Sequence, residues 1–203
     1  MSFGDKKLSE IAVSVPGSTS LLREYDLDFC CGGSDTLANA AAEKGLNLAE
    51  IETRLTELQN SKAENPEEYW VNATYPEIID HILVRYHQRH REQLQELIVL
   101  ADRVESVHGD REDCPIGVAA ELRNVYEDLS NHMMKEEHVL FPMIKAGNYM
   151  MAQMPIRMME MEHAEHGEHL DVLKSLTNNM TPPADACNTW RALYSGIQEF
   201  ADD

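Results

Sequence analysis

Residues 81–94 read HILVRYHQRHREQL, and this stretch decides the fold because its histidines share a helical face with its aliphatic residues. Alternate steps of four and three give Ile79, Leu83, His87, His90, Leu94, Leu97, Ala101, Val104 and His108, one seam of a single helix. That helix opens at Thr74-Tyr75-Pro76-Glu77, a capping box with proline in the first turn, and stops at His108-Gly109. Working outward, the same steps after Pro115-Ile116-Gly117 give Val118, Leu122, Val125, Leu129, His132, Glu136, Val139 and Met143. A third helix past Gly147 gives Ile156, Met159, His163, His166, Leu170 and Leu173, and a fourth past Thr181-Pro182-Pro183 gives Ala186, Trp190, Leu193, Ile197 and Phe200. Four helices with short connections predict an all-α, up-down antiparallel bundle.

The seam is not purely apolar. An ionised carboxylate buried without a partner costs several kcal/mol, and no Lys or Arg shares the first three stripes, so Glu136 calls for a cation. His132 and Glu136 at i, i+4 point the same way, and imidazoles on facing helices can complete a ligand set. Mixed imidazole and carboxylate ligation suits iron or manganese better than a structural zinc site does. His90, His108 and His166, taken singly, read as satisfied core residues, and His81 and His138 fall off the stripes. The segments HQRHREQL (87–94) and HAEHGEHL (163–170) both read H-x-x-H-x-E-x-L, so the first and third helices look like copies of one unit.

The rest of the chain is chemically different. Over 203 residues, 36 acidic against 17 basic side chains give a net charge of −19, which opposes nucleic acid and anionic membrane surfaces. No apolar run is long enough to span a bilayer and no leader is evident, so a cytoplasmic location is expected. All nine histidines lie between His81 and His169, whereas the first 60 residues carry the vicinal pair Cys30-Cys31. The polar stretch QNSKAENPEE from Gln59 to Glu68 marks the break. The expected organisation is a helical cysteine domain over 1–60, a linker over 61–73 and the bundle over 74–203. In the first domain, Ser18 is expected to cap SLLREY, and Asn47 with Glu50 to start LAEIETRLTEL. Cys30 and Cys31, followed by Gly32-Gly33 and a helix starting near Ser34 or Asp35, read either as thiols activated by a helix end or as structural residues of a tight turn. Cys114 and Cys187 read as structural. Nine of the eleven methionines fall between Met133 and Met161 and are expected as core filler.

The His helix followed by H-x-x-x-E, in HILVRYHQRHREQL and NHMMKEEHVLFPMI, resembles the hemerythrin-like cation-binding bundle. YDLDFCCGG ahead of it resembles the cysteine domain of the Repair of Iron Centers family, and the two together cover nearly the whole chain. The resemblance implies a non-haem di-iron centre and a stress-response role in repairing iron-sulfur clusters damaged by nitric oxide or peroxide. It implies His87, His132, Glu136 and His163 as iron ligands, with Glu136 bridging and Glu162 supporting from outside the ligand set. It also makes Cys30 and Cys31 the functional thiol pair. The implied partners are proteins with damaged iron-sulfur clusters and nitric oxide itself, with homodimer formation left open. The expected activity is stress repair or iron donation rather than conventional enzymatic turnover.

Two other readings compete. A hemerythrin-type carrier or sensor would bind O2 or NO reversibly at an open iron position. A ferritin-like oxidase would use Glu105-Ser-Val-His108 and Glu160-Met-Glu-His163. A last expectation concerns the fourth helix. Continuing its stripe from Ile197 puts a matching His and Glu at slots 207 and 211, beyond Asp203, so this helix reads as truncated. Residues 1–203 are then expected to hold one iron firmly, through His87, His132 and Glu136, and a second only weakly near His163.

Overall fold

The computed structural model describes residues 2–15, 17–29, 32–60, 70 and 72–203; of Ala164 and Glu165 it describes only the backbone. The described chain forms two compact units, residues 1–74 and 75–203. Among the described residues the secondary structure is helical, apart from one isolated bridge between Lys7 and Thr36.

Among its described residues the first unit carries α1 (Leu8–Ser14), α2 (Ser18–Glu24), α3 (Leu37–Glu43) and α4 (Leu48–Asn60). Its core is Leu8, Ile11, Val15, Leu21, Leu22, Leu37, Ile51 and Leu55 with their neighbours. Ser18 does not cap α2; it lies inside the helix, buried, and its hydroxyl donates to the Ile11 carbonyl at 3.0 Å. The helix expected near Ser34 or Asp35 begins at Leu37, capped by the Thr36 hydroxyl, which accepts from Asn39 N. Asp35 instead turns the chain into that cap, accepting from Thr36 N and the Asn39 amide.

The second unit is built of four rods. The first runs as α5 (Tyr75–Ile82), a π-helical segment π1 (Leu83–Gln88) and α6 (Arg89–His108). The second runs as α7 (Val118–Lys135), π2 (Glu136–Leu140) and α8 (Phe141–Lys145). The third is α9 (Tyr149–Leu176) and the fourth α10 (Asn188–Asp202). The first rod packs against the second and the fourth, and the second also against the third.

Burial along the second rod follows the expected seam up to its π segment and departs from it there, the first rod keeps its seam beyond π1, and in the third Ile156, expected in the seam, is 37% exposed. In the second rod the π turn takes in one extra residue, so the face that follows it is displaced by one position. Val139, expected in the seam, is 43% exposed, while Leu140 and Phe141 take its place in the core. The larger apolar cluster of the bundle contains Leu94, Leu97, Val104, Leu122, Leu173, Trp190 and Ile197. A smaller one, Ile79, Leu140, Phe141, Ala152 and Met159, lies at the other end. A polar layer separates them. Methionine is mostly not filler: Met133 and Met159 are buried, but Met134, Met150, Met151, Met154, Met158 and Met161 are exposed. No described helix is long and apolar enough to cross a membrane.

Candidate metal centre

The polar layer is made where the π segments lie. His87 is the fifth residue of π1 and Glu136 the first of π2, and a π turn aims a side chain where a continuous α-helix would not. Glu136 Oε2 lies between two imidazoles, 3.0 Å from His87 Nε2 and 3.5 Å from His132 Nε2. His163 Nε2 approaches His132 Nε2 at 2.9 Å. One ligand atom each from His132, Glu136 and His163 lies within 4.8 Å of the others, and among the described residues this is the one such group of three. His87, His132, Glu136 and His163 therefore converge from three rods.

The outer ring nitrogens fix how these groups point. His87 Nδ1 is 2.8 Å from Glu137 Oε1, which also accepts from Arg91 at 2.8 Å. His132 Nδ1 is 3.0 Å from Glu162 Oε2, and Lys135 donates to Oε1 of the same carboxylate at 2.6 Å. The two halves thus share one device, a cation holding a glutamate that orients a histidine. Burial pulls the Glu137 carboxyl up, but hydrogen bonds from His87 and Arg91 outweigh it and hold it below the ordinary range. In Glu162 the bonds from Lys135 and His132 do the same. Ionised carboxylates accept, so each imidazole donates from Nδ1 and turns its Nε2 lone pair inward.

Those inward lone pairs test whether a metal fits. Without a cation, Nε2 of His132 faces Nε2 of His163 and Nε2 of His87 faces an anionic oxygen, an arrangement that repels unless extra protons are taken up. Protonation is opposed at His163, where burial and then the neighbouring His132 lower its basicity. A divalent cation satisfies every inward donor at once, and imidazole with carboxylate suits iron. The donor set fits.

Glu162, which the resemblance implies as an outer glutamate, contacts Nδ1 of His132. Glu137 was missed because it is off the stripe; its one signal was the acidic doublet Glu136-Glu137 facing Arg91. His138 is exposed, and His81 packs on Tyr86. Neither carboxylate of the ferritin-like reading belongs here: Glu105 accepts from Gly117 N and Ala119 N and so caps α7, and Glu160 is exposed. Next to the cluster lies a cavity of about 180 Å³ lined by His90, Val125, Leu129, His166, Leu170 and Phe200 among others. The His166 ring packs 4.9 Å from that of His132, and burial pushes its pKa down to about 4, so this side chain is neutral, while His169 and Asp203 bring polar groups to the cavity's rim. Cys30 and Cys31 and the linker residues 61–69 and 71 lie outside the described residues. Of the residues on either side of the thiols, Gly32 N donates to Asp28 Oδ2 at 2.9 Å, and a Cβ on Gly33 would lie 2.2 Å from the Phe29 carbonyl oxygen.

The family model for the hemerythrin HHE cation binding domain matches residues 78–203, and that of a domain of unknown function, DUF542, matches residues 4–59. A probable iron-sulfur cluster repair protein of Haemophilus influenzae is 67% identical over all 203 residues, which cover 91% of its length. The iron-sulfur cluster repair proteins YtfE of Musicola paradisiaca and Escherichia coli K12 are each 53% identical over the whole chain, covering 90% and 91% of their lengths.

Proposed function

This chain belongs to the iron-sulfur cluster repair proteins with a hemerythrin-like cation-binding domain, and from that premise we propose that its bundle holds a non-haem di-iron centre serving repair after nitrosative or oxidative damage. The observation that carries this reading is Glu136 Oε2 between His87 Nε2 and His132 Nε2, an anionic oxygen set among inward-facing imidazole nitrogens that bound iron would satisfy. His87, His132, Glu136 and His163 would be the ligands. Bound iron supplies redox and nitric oxide chemistry at this layer.

The protein's own groups do the rest. Glu137 and Glu162 hold the imidazoles in the ligating tautomer, and Arg91 and Lys135 keep those two carboxylates ionised. Iron passed on to a damaged cluster is cargo, and oxygen and nitrogen donors release it more readily than thiolates would. Cys30 and Cys31 are the candidates to pass iron, nitrosyl groups or electrons, at a cytoplasmic location. A carrier or sensor of O2 or NO is the second reading, favoured by the small, largely apolar cavity beside His166.

Two measurements test this. Iron content with visible and EPR spectra should show iron lost in Glu136→Ala and kept in Glu160→Ala; the reverse would overturn the ligand set. The protein with iron bound should restore a [4Fe–4S] protein inactivated by nitric oxide, whereas stable reversible oxygenation without such restoration would favour the carrier.

A further inference from the structure

The third rod carries a second group of donors that the iron cluster does not use. Met150, Met151, Met154, Met158 and Met161 are 87, 67, 67, 53 and 68% exposed. At 3.6 residues per turn all five project within an arc of about 100°, next to the arc through which Ala152 and Met159 enter the core. Every side chain in that arc between residues 149 and 161 is a methionine. Docking surfaces do use methionine, but alongside Phe, Tyr and Trp. This one keeps sulfur at each position.

Residues spaced three and four apart on a helix have Cβ atoms about 5–6 Å apart, and three rotatable bonds let neighbouring thioethers converge on one ion. Neutral, soft sulfur binds Fe(II) and Zn(II) poorly and Cu(I) well, so this face would not compete with the imidazole and carboxylate layer for iron. The net charge of −19 draws cations toward the surface. We propose that this face of α9 is a site for a soft monovalent metal ion, Cu(I), held by thioethers that lie within about one turn of one another, Met150, Met151 and Met154, with the neighbouring pairs Met154–Met158 and Met158–Met161 extending it along the helix. It stands independently of the iron reading.

The test uses the full chain labelled with carbon-13 at the methionine methyl groups and titrated with Ag(I), a redox-silent stand-in for Cu(I). Titration continues past the equivalents that the four cysteines take up. The expected result is that the methyl resonances of the five stripe residues move together while those of Met133, Met143 and Met159 stay put. In Met154→Leu/Met158→Leu, which conserves volume on an exposed face, the shift should disappear with the helical circular dichroism and the iron spectrum unchanged. Silver that leaves the stripe unmoved, or moves it equally in the double variant, overturns the proposal. So does a double variant whose self-association falls while wild-type methionines ignore silver, because the stripe is then a contact between copies.

Discussion

Single residues decide whether the cluster can hold an ion, and the outer glutamates are the sharpest case. Glu162→Gln keeps the shape but can no longer hold His132 in one tautomer. Metal affinity should fall about 10- to 100-fold with the fold intact, as measured by competition with a chelator of known affinity. Unchanged affinity would remove Glu162 from the positioning role. His169 offers a test of a different kind, away from the ligands. Its pKa is raised above 6.5, first by the hydrogen bond to Glu121 and, against burial, also by Asp128. A raised pKa contributes stability that is present below the unfolded value and lost as pH rises through the folded one. His169→Gln should therefore cost about 0.5–1 kcal/mol near pH 6 and almost nothing near pH 9 in urea unfolding. Much of this layer was legible in the sequence, because a glutamate in an apolar stripe without a cation on the same stripe demands one. Arg91, Lys135 and Glu137 were not legible, since they reach the site from positions that the stripe rule assigns to solvent.

At the level of elements, the spacing of aliphatic residues was enough to place all four rods, and the fourth followed it throughout: Ala186, Trp190, Leu193, Ile197 and Phe200 are all buried. The π segments were not readable, because a single extra residue in a turn leaves no mark in composition and shows only as a change of phase, Leu140 buried where Val139 was expected. The exposed methionines escaped for a related reason: hydrophobicity suggests the core, but their angular position lies beside the seam. Gly196 tests how closely the fourth rod approaches the first. A Cβ there would sit 2.6 Å from Leu97 Cδ2, in a core where Leu97 is 3% exposed. Gly196→Ala should destabilise the bundle by about 1–2 kcal/mol even though alanine favours helix, as overpacking outweighs propensity. A more stable variant in chemical denaturation would mean that the rods yield easily at this crossing.

For the whole molecule, two units with separate cores imply two thermal transitions, and only the bundle carries the cluster. Fe(II) at about 100 times its dissociation constant should add about 2.7 kcal/mol to the bundle and leave the other transition in place, as read by scanning calorimetry. Movement of both transitions together would mean that the units unfold as one. A consequence of the unequal apolar clusters on either side of the polar layer follows. Amide hydrogens near Leu94, Leu122 and Trp190 should exchange only through global unfolding, whereas those around Ile79, Phe141 and Ala152 should exchange through cheaper local openings. The ends of the first three rods beyond the ligands can then fray while the body of the bundle stays folded, so an ion can leave without the protein being lost.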